Sequence, residues 1–491
     1  MLAVILTVFS LFTFQEDPVG KYLPVDTVKL KTSHQKKAFG HDDSVGQFVQ
    51  INRIVVMGND QTRDRIILRE LSLKTGDIIH SSELSGVLDL DKKKLINTRL
   101  FNTVEIKQLE SQPGKIDLVV DVTERWYTFP APIFELSDRN FNEWWQNYNH
   151  DWQRVNFGLK LFQFNMRGRN ETLRLVAQFG FLKKFELNYR IPSFDRRQKH
   201  GLIINFDYTD TKNVPFQTLD HKLDYMKDGE GTVLRITRGG SLTYTYRKSF
   251  YSTHFVKTEY RSTSIVDTVE ESNPNFFAEG KLDQRYTVLS YSFLSDHRDY
   301  FGYPLHGHYL LLNVAQSGLF PTDDIHKFET SINYSKFIDL RKGFFLSNNS
   351  IGHWSSPKDQ PYYSYSALGY KKQFVRGYEI YVIEGPSYIL NKTTLKKKIF
   401  SRTYQWNSMP VRQFQHIPLS IYIKTYADFG YVNNYPYYEK NDFNTRLSNT
   451  LLSGAGFGVD IVGSYDTVIR FEYSFNSQGE SGLFFHLKRE F

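Results

Sequence analysis

The sequence predicts a small α+β unit of β-α-α-β-β order, followed by an all-β transmembrane barrel of about sixteen antiparallel strands. Three observations carry that expectation. Among 491 residues there are 40 Phe and 32 Tyr, more aromatic surface than an ordinary soluble enzyme needs. Barrel walls use such rings where they meet the two water–lipid boundaries. From Val155 onward, apolar residues recur at every second position through one segment after another. Finally, the chain stops on an aromatic strand, Leu483-Phe-Phe-His-Leu-Lys-Arg-Glu-Phe491, whereas chain ends ordinarily lie in polar, exposed tails.

The elements follow in order. The opening run MLAVILTVFSLFTF is too short to cross a bilayer as a helix but suits the apolar core of a signal peptide, expected over residues 1–15. No Lys or Arg precedes it and no A-x-A follows, so a buried first strand is the alternative. Residues 16–47 are polar and aperiodic and read as a linker or tail. The α+β unit is expected over 48–125. Gln50 to Met57 is a β-rich run closed by Gly58-Asn59-Asp60. Thr62 is placed to cap a helix carrying Ile66, Ile67 and Leu71, which Thr75-Gly76-Asp77 breaks. Ser81 or Ser82 opens a second helix with Leu84, Val87, Leu88, Leu95 and Ile96 at its apolar positions. Strands at Thr103–Leu109 and Ile116–Val122 flank a turn at Gln112-Pro113-Gly114.

Pro130-Ala131-Pro132 reads as the boundary, because proline continues neither a ladder nor a helix, and the barrel is expected over 131–491. Strand segments start near residues 155, 171, 184, 201, 239, 252, 285, 307, 327, 343, 362, 387, 418, 451, 467 and 482. In Thr467–Phe475 the apolar residues Ile469, Phe471, Tyr473 and Phe475 alternate with Arg470, Glu472 and Ser474, so one face meets lipid and the other water. A large soluble sandwich or propeller is the alternative, but it accounts poorly for the closing aromatic strand.

Several functions are set aside by composition. Without cysteine there are no disulfides, thiolate nucleophiles or cysteine zinc sites. The net charge of +8 and pI near 9.1 are spread along the chain, with Lys396-Lys397-Lys398 as the one dense run, which argues against nucleic acid as a partner. His306 and His308 share a strand face, yet no nearby carboxylate completes a metal site. Gly454-Ala-Gly456-Phe-Gly458 lacks the lysine and helix of a phosphate loop and reads as a glycine-rich strand. No G-x-S-x-G is present. The expectation is a protein that is not an enzyme and takes no cofactor.

One short stretch asks for more. In Val375-Arg376-Gly377-Tyr378 a permanently charged fork stands beside a glycine that permits a tight turn. A loop folding back into a polar lumen would let Arg376 meet a carboxylate. Tyr422, Lys424, Tyr426 and Asp428 share the lumenal face of one strand, making Asp428 the candidate partner.

With these residues in place, the chain resembles the POTRA–β-barrel outer-membrane proteins of the BamA/TamA type. The β-α-α-β-β unit resembles one POTRA domain, down to Leu71-Ser-Leu-Lys-Thr-Gly-Asp-Ile78 and Leu100-Phe-Asn-Thr-Val104. Val375-Arg376-Gly377-Tyr378 matches the family's loop motif, Asp428 and Gly430 its acidic strand motif, and Phe491 its closing strand. The family often supplies a second carboxylate where this chain has Thr394, and its assembly machines usually carry several POTRA units. The resemblance implies a bacterial outer-membrane barrel with POTRA in the periplasm. Its partners would be lipid, unfolded outer-membrane protein clients and periplasmic or lipoprotein accessory subunits. It also implies a weak seam, expected here between Val155, Phe157, Leu159 and Leu161 on the first strand and Leu483, Phe485, Leu487 and Phe491 on the last. Two functions follow from the family: insertion of clients through that seam, or secretion of a partner protein through the lumen.

Overall fold

The structure, a computed structural model, describes residues 48–136, 152, 155–227, 232–370, 373–406, 408–409 and 415–487. The expected leader, the linker and Phe491 lie outside these residues.

The amino-terminal unit runs β1 (Phe48–Met57), α1 (Asp64–Leu68), β2 (Ile78–His80), α2 (Ser81–Asn97), β3 (Phe101–Gln112) and β4 (Lys115–Glu124), with sheet order β2-β1-β4-β3. Helix α2 buries Leu84 and Leu88 against Ile51, Leu73, Ile79 and Leu118, as its apolar spacing demands. It opens at Ser81, where the His80 ring accepts the Ser82 amide at 3.3 Å. Three expectations change. The three-residue strand β2 precedes α2, and α1 stops at Leu68, before Leu71. Thr62 caps nothing, because its hydroxyl and amide both go to Glu124, at 2.5 and 2.7 Å.

The second body is a single sheet of sixteen strands. It contains β5 (Thr128–Leu136), β6 (Val155–Met166), β7 (Glu171–Gly180), β8 (Leu182–Ile191) and β9 (His200–Thr211). After a separate hairpin, β10 (Asn213–Leu219) and β11 (Lys222–Lys227), come β12 (Arg235–Arg247), β13 (Ser252–Ile265), β14 (Asp283–Asp296), β15 (Gly307–Ser317), β16 (Lys327–Asp339) and β17 (Phe344–Ser356). A long loop holds the short pair β18 (Ala367–Leu368) and β19 (Ile383–Glu384). The sheet then closes its run with β20 (Ser387–Gln405), β21 (His416–Asn433), β22 (Leu452–Val462), β23 (Val468–Asn476) and β24 (Ser481–Leu487). Alternation does what the sequence requires: Phe457, Phe471 and Phe475 face outward while Asp460, Glu472 and Ser474 are buried inside.

The expected number of strands holds, but two memberships do not. Tyr362 starts a 3-10 turn in the long loop rather than a strand. The true first strand is β5, which begins at Thr128 and contains both Pro130 and Pro132. It escapes the proline rule for a geometric reason. The Phe164 amide donates to the Tyr127 carbonyl at 2.7 Å, in register with the Thr128–Gln163 pair. Residues 129, 131 and 133 therefore point their backbone groups at β6, while 130 and 132 point theirs away from it. The prolines lack donors only on the free edge, where an edge strand tolerates them. As a result Val155, Phe157, Leu159 and Leu161 are not seam residues. They lie on β6, which is laddered to β5 on one side and β7 on the other. The two ends of the sheet are β5 and β24, and among the described residues these strands are not paired with each other.

The amino-terminal unit sits against one rim. Its contacts reach five separate turns: Arg63 N to the Gly168 carbonyl (3.0 Å), Gln198 to the Arg65 carbonyl (3.2 Å), Arg247 to Glu70 (2.7 Å), Asn97 to the Asp299 carbonyl (3.2 Å), and Arg99 and Arg125 to Asp466 (3.5 and 3.6 Å). Burial alone would push the Glu70 carboxyl up, but the guanidiniums of Arg247 and Arg69 outweigh it and hold the group at about 2. A carboxylate held below its ordinary 4.5 stabilises docking fully above that value and loses the contribution as pH falls through about 2. Docking should therefore be flat from neutral pH to about 5 and weaken below. Glu70→Gln should loosen the unit at neutral pH, toward the lower end of the roughly 3–5 kcal/mol of a broken buried pair. Hydrogen exchange in the 247–251 turn would report both effects.

Candidate functional site

Arg376 lies on the loop between β17 and β20, and that loop is folded inward. Gly377 takes φ 95°, a left-handed turn open to glycine, and the Asn476 side chain holds its carbonyl at 2.8 Å. Val375 and Tyr378 are buried beside Leu390, Val432 and Leu452 on the inner wall. The Tyr378 hydroxyl lies 2.7 Å from that of Ser477. The loop is thus fastened on both sides of its arginine.

The guanidinium meets Asp428 as a fork, Nε to Oδ2 at 2.8 Å and Nη2 to Oδ1 at 2.5 Å, and the Arg376 amide adds a third bond to Oδ2 at 3.1 Å. Arg376 is 6% exposed and Asp428 0%. Nη2 also donates to Thr394 Oγ1 at 3.0 Å, and the guanidinium carbon stacks 3.7 Å over the Tyr426 ring. Burial works against the charged form of Arg376, and the Asp428 carboxylate overcomes it, raising the group.

Thr394 does stand where a carboxylate was missed, and it serves as a neutral acceptor. The second carboxylate comes instead from Glu472 on β23, whose Oε1 is 3.4 Å from Arg376 Nη1. Sequence reasoning passed over it, although Glu472 stands on the water-facing side of a clear alternation. It also ties two clusters together. Lys424 Nζ bridges Glu472 (2.9 Å) and Asp460 (2.5 Å), Arg470 reaches Asp460 at 3.2 Å, and the Tyr303 hydroxyl donates to Asp460 at 2.8 Å. Tyr303 belongs to the turn between β14 and β15, on the rim that carries the amino-terminal unit. Loops from both rims therefore end on one charged wall.

Glycines of β21 and β22 make room for this. A Cβ on Gly454 would lie 1.9 Å from the Arg376 carbonyl oxygen, and one on Gly430 would meet Val375 Cγ2 at 2.6 Å. Gly454→Val should consequently expel the loop while leaving the pair's own residues in place. The cost is on the order of 1–3 kcal/mol of overpacking, and limited proteolysis between β17 and β20 is the readout. At the opposite mouth, loops from far sides of the sheet meet: the Leu447 amide donates to His221 Nε2 at 2.9 Å. His308 stacks on His297, with ring centroids 4.1 Å apart.

Of the expected seam residues, Leu483 and Phe485 lie on the end strand β24 with exposed outer faces, and Leu487 ends it.

Comparison with known proteins identifies relatives of the fold. The Omp85 superfamily domain matches residues 165–487, and the POTRA domain, described as a surface antigen variable number repeat, matches 49–125. Eighty residues are 35% identical to the outer membrane protein assembly factor BamA of Nitratidesulfovibrio vulgaris, covering 16% of this chain and 10% of that relative's length. In fold the chain is similar to CdiB from Escherichia coli, with a TM-score of 0.50 at 11% identity over 90% of this chain and 74% of that one. It is also similar to BamA from Haemophilus ducreyi lacking POTRA domains 1-3, with a TM-score of 0.48 at 16% identity over 89% and 83%. The chain belongs to the Omp85 superfamily, as a barrel of the outer membrane whose POTRA unit stands in the periplasm.

Proposed function

We propose that this protein assists the insertion and assembly of outer-membrane β-barrel proteins, admitting client strands sideways through the gap between β5 and β24. The observation that supports this reading is that, among the described residues, β5 and β24 are not laddered to each other. Backbone groups cannot stay unpaired in lipid, so an open edge gives an incoming strand its partners and lowers the barrier to a new barrel. The filled lumen supports the same route. The Arg376 loop occupies it from the outer side, the Tyr303 turn enters from the periplasmic side, and the POTRA unit lies across the turns below. The clients are unfolded outer-membrane proteins delivered in the periplasm, and the chemistry is strand exchange rather than catalysis.

Reconstitution tests it. Liposomes containing the protein should fold a urea-unfolded barrel client faster than empty liposomes do. If client folding is unchanged while a soluble partner protein crosses into the vesicles, the protein is a lumenal secretion pore.

A further inference from the structure

Strands β20 and β21 outrun their neighbours on one rim. On one side β17 stops pairing at Phe344–Lys397, and on the other β22 stops at Val462–Ser420. The β20–β21 ladder goes on alone through Arg402–Leu419, Thr403–Pro418, Tyr404–Ile417 and Gln405–His416. Four such rungs make an arm about 13 Å long. The rim is the periplasmic one, because the turn after Val462 holds Asp466, which meets Arg99 and Arg125 of the amino-terminal unit and its exit.

The arm has two unlike faces. Residues directly opposite each other in an antiparallel ladder share a side. Arg402 and Tyr404 therefore stand with Leu419 and Ile417, and Trp406 follows on the same side, its amide donating to the Gln415 carbonyl at 2.8 Å. Through the Phe400–Ile421 pair this face continues into the outward row that carries Ile423. Ser401, Thr403, Gln405 and His416 make the other face, which is polar. A bulge sets the division. Ile399 is an extra residue between the Lys398–Tyr422 and Phe400–Ile421 pairs. Plain alternation from Lys397 would have put Ser401 and Thr403 on the lipid side. The extra residue puts the aromatic series there instead, and a bulge also bends its strand.

Tyr404 is 42% and Trp406 48% exposed. Amphipathic rings at the end of a lipid-facing row are what the water–lipid boundary favours. The charge agrees with an anionic headgroup layer. From Gly385 to Ala427 the sequence contains no Asp or Glu. Lys397 stands on the lipid side and reaches down to the rim, its ammonium 2.6 Å from the Lys342 carbonyl. Arg341 and Lys342 on that turn, and Arg402 on the arm, are exposed cations. Asp339, beside the turn, is occupied by the Arg341 amide at 2.7 Å. We infer that this arm lies on the periplasmic phospholipid leaflet of the outer membrane. Its Tyr404, Trp406, Ile417 and Leu419 face sits at the headgroup–acyl boundary, and Arg402 meets the phosphates.

The cysteine-free chain permits a direct test. Single variants Ile417→Cys, Leu419→Cys, Thr403→Cys and His416→Cys would carry a nitroxide label in vesicles of phosphatidylethanolamine and phosphatidylglycerol. Each label is read by its collisions with oxygen, which concentrates in lipid, and with a water-soluble nickel chelate. Labels at 417 and 419 should favour oxygen, and those at 403 and 416 should favour nickel. Adding Tyr404→Ser and Trp406→Ser to the Leu419→Cys protein should shift that label to nickel, with the unheated gel mobility of the folded barrel unchanged. A 419 label that keeps its oxygen preference would overturn the anchoring role of the two rings. Nickel preference on both faces would leave the arm free in the periplasm. Poor collision with both reagents would show a protein cover, whether the POTRA unit or a second copy. Either of these results, or oxygen preference at 403 and 416, would overturn the lipid assignment.

Discussion

Arg376→Ala and Asp428→Ala are each expected to free the lumenal loop, and the double variant is expected to do little more than either alone. Both groups are buried, and three bonds join them. Removing either partner strands the other's charge, at a cost of about 3–5 kcal/mol for a buried pair. Glu472 and the lumen's own water would take up part of that loss after Asp428→Ala. Arg376→Ala instead leaves Asp428 and Glu472 facing each other, so it should be the worse single change. Protease cleavage between β17 and β20 measures loop release, and the unheated gel mobility of the folded barrel measures stability. Strictly additive damage from the two changes would show that the residues act independently. Arg376→Lys should recover little, because one ammonium cannot reproduce the fork to Asp428 together with the bond to Thr394.

Much of this site could be read before any coordinates. Asp428 was legible because Tyr422, Lys424 and Tyr426 share its face, and a polar stripe on a lipid-bounded strand has only the lumen to face. Arg376 was legible because a guanidinium between large apolar residues needs a carboxylate. Glu472 was visible as a polar residue in a period-two pattern, but its partner lies 96 residues away, and strand alternation carries no information about which loop enters the barrel. Thr62 shows the same limit in the POTRA unit. Its hydroxyl suits a helix cap locally, and Glu124 competes for it from 62 residues away. The seam failed differently. Proline ends a ladder in an interior strand, but not on an edge whose missing donor faces outward. One misplaced strand moved the expected seam from β5 to β6, while the turn at Tyr362 restored the count by coincidence.

If clients pass through the gap between β5 and β24, as proposed, locking that gap has the largest expected effect on function. Phe134→Cys with Leu483→Cys near the outer rim, and Thr128→Cys with Leu487→Cys near the periplasmic rim, place thiols on the two edges without background from native cysteine. Each pair would be oxidised, or bridged by a reductant-cleavable linker, in protein already reconstituted in liposomes. Folding of an unfolded barrel client is then followed before and after reduction. The bridged protein is expected to lose its acceleration of client folding down to the rate of empty liposomes, and reduction is expected to restore it. A bridged protein that folds clients at the unbridged rate would contradict lateral passage and leave the lumen as the route.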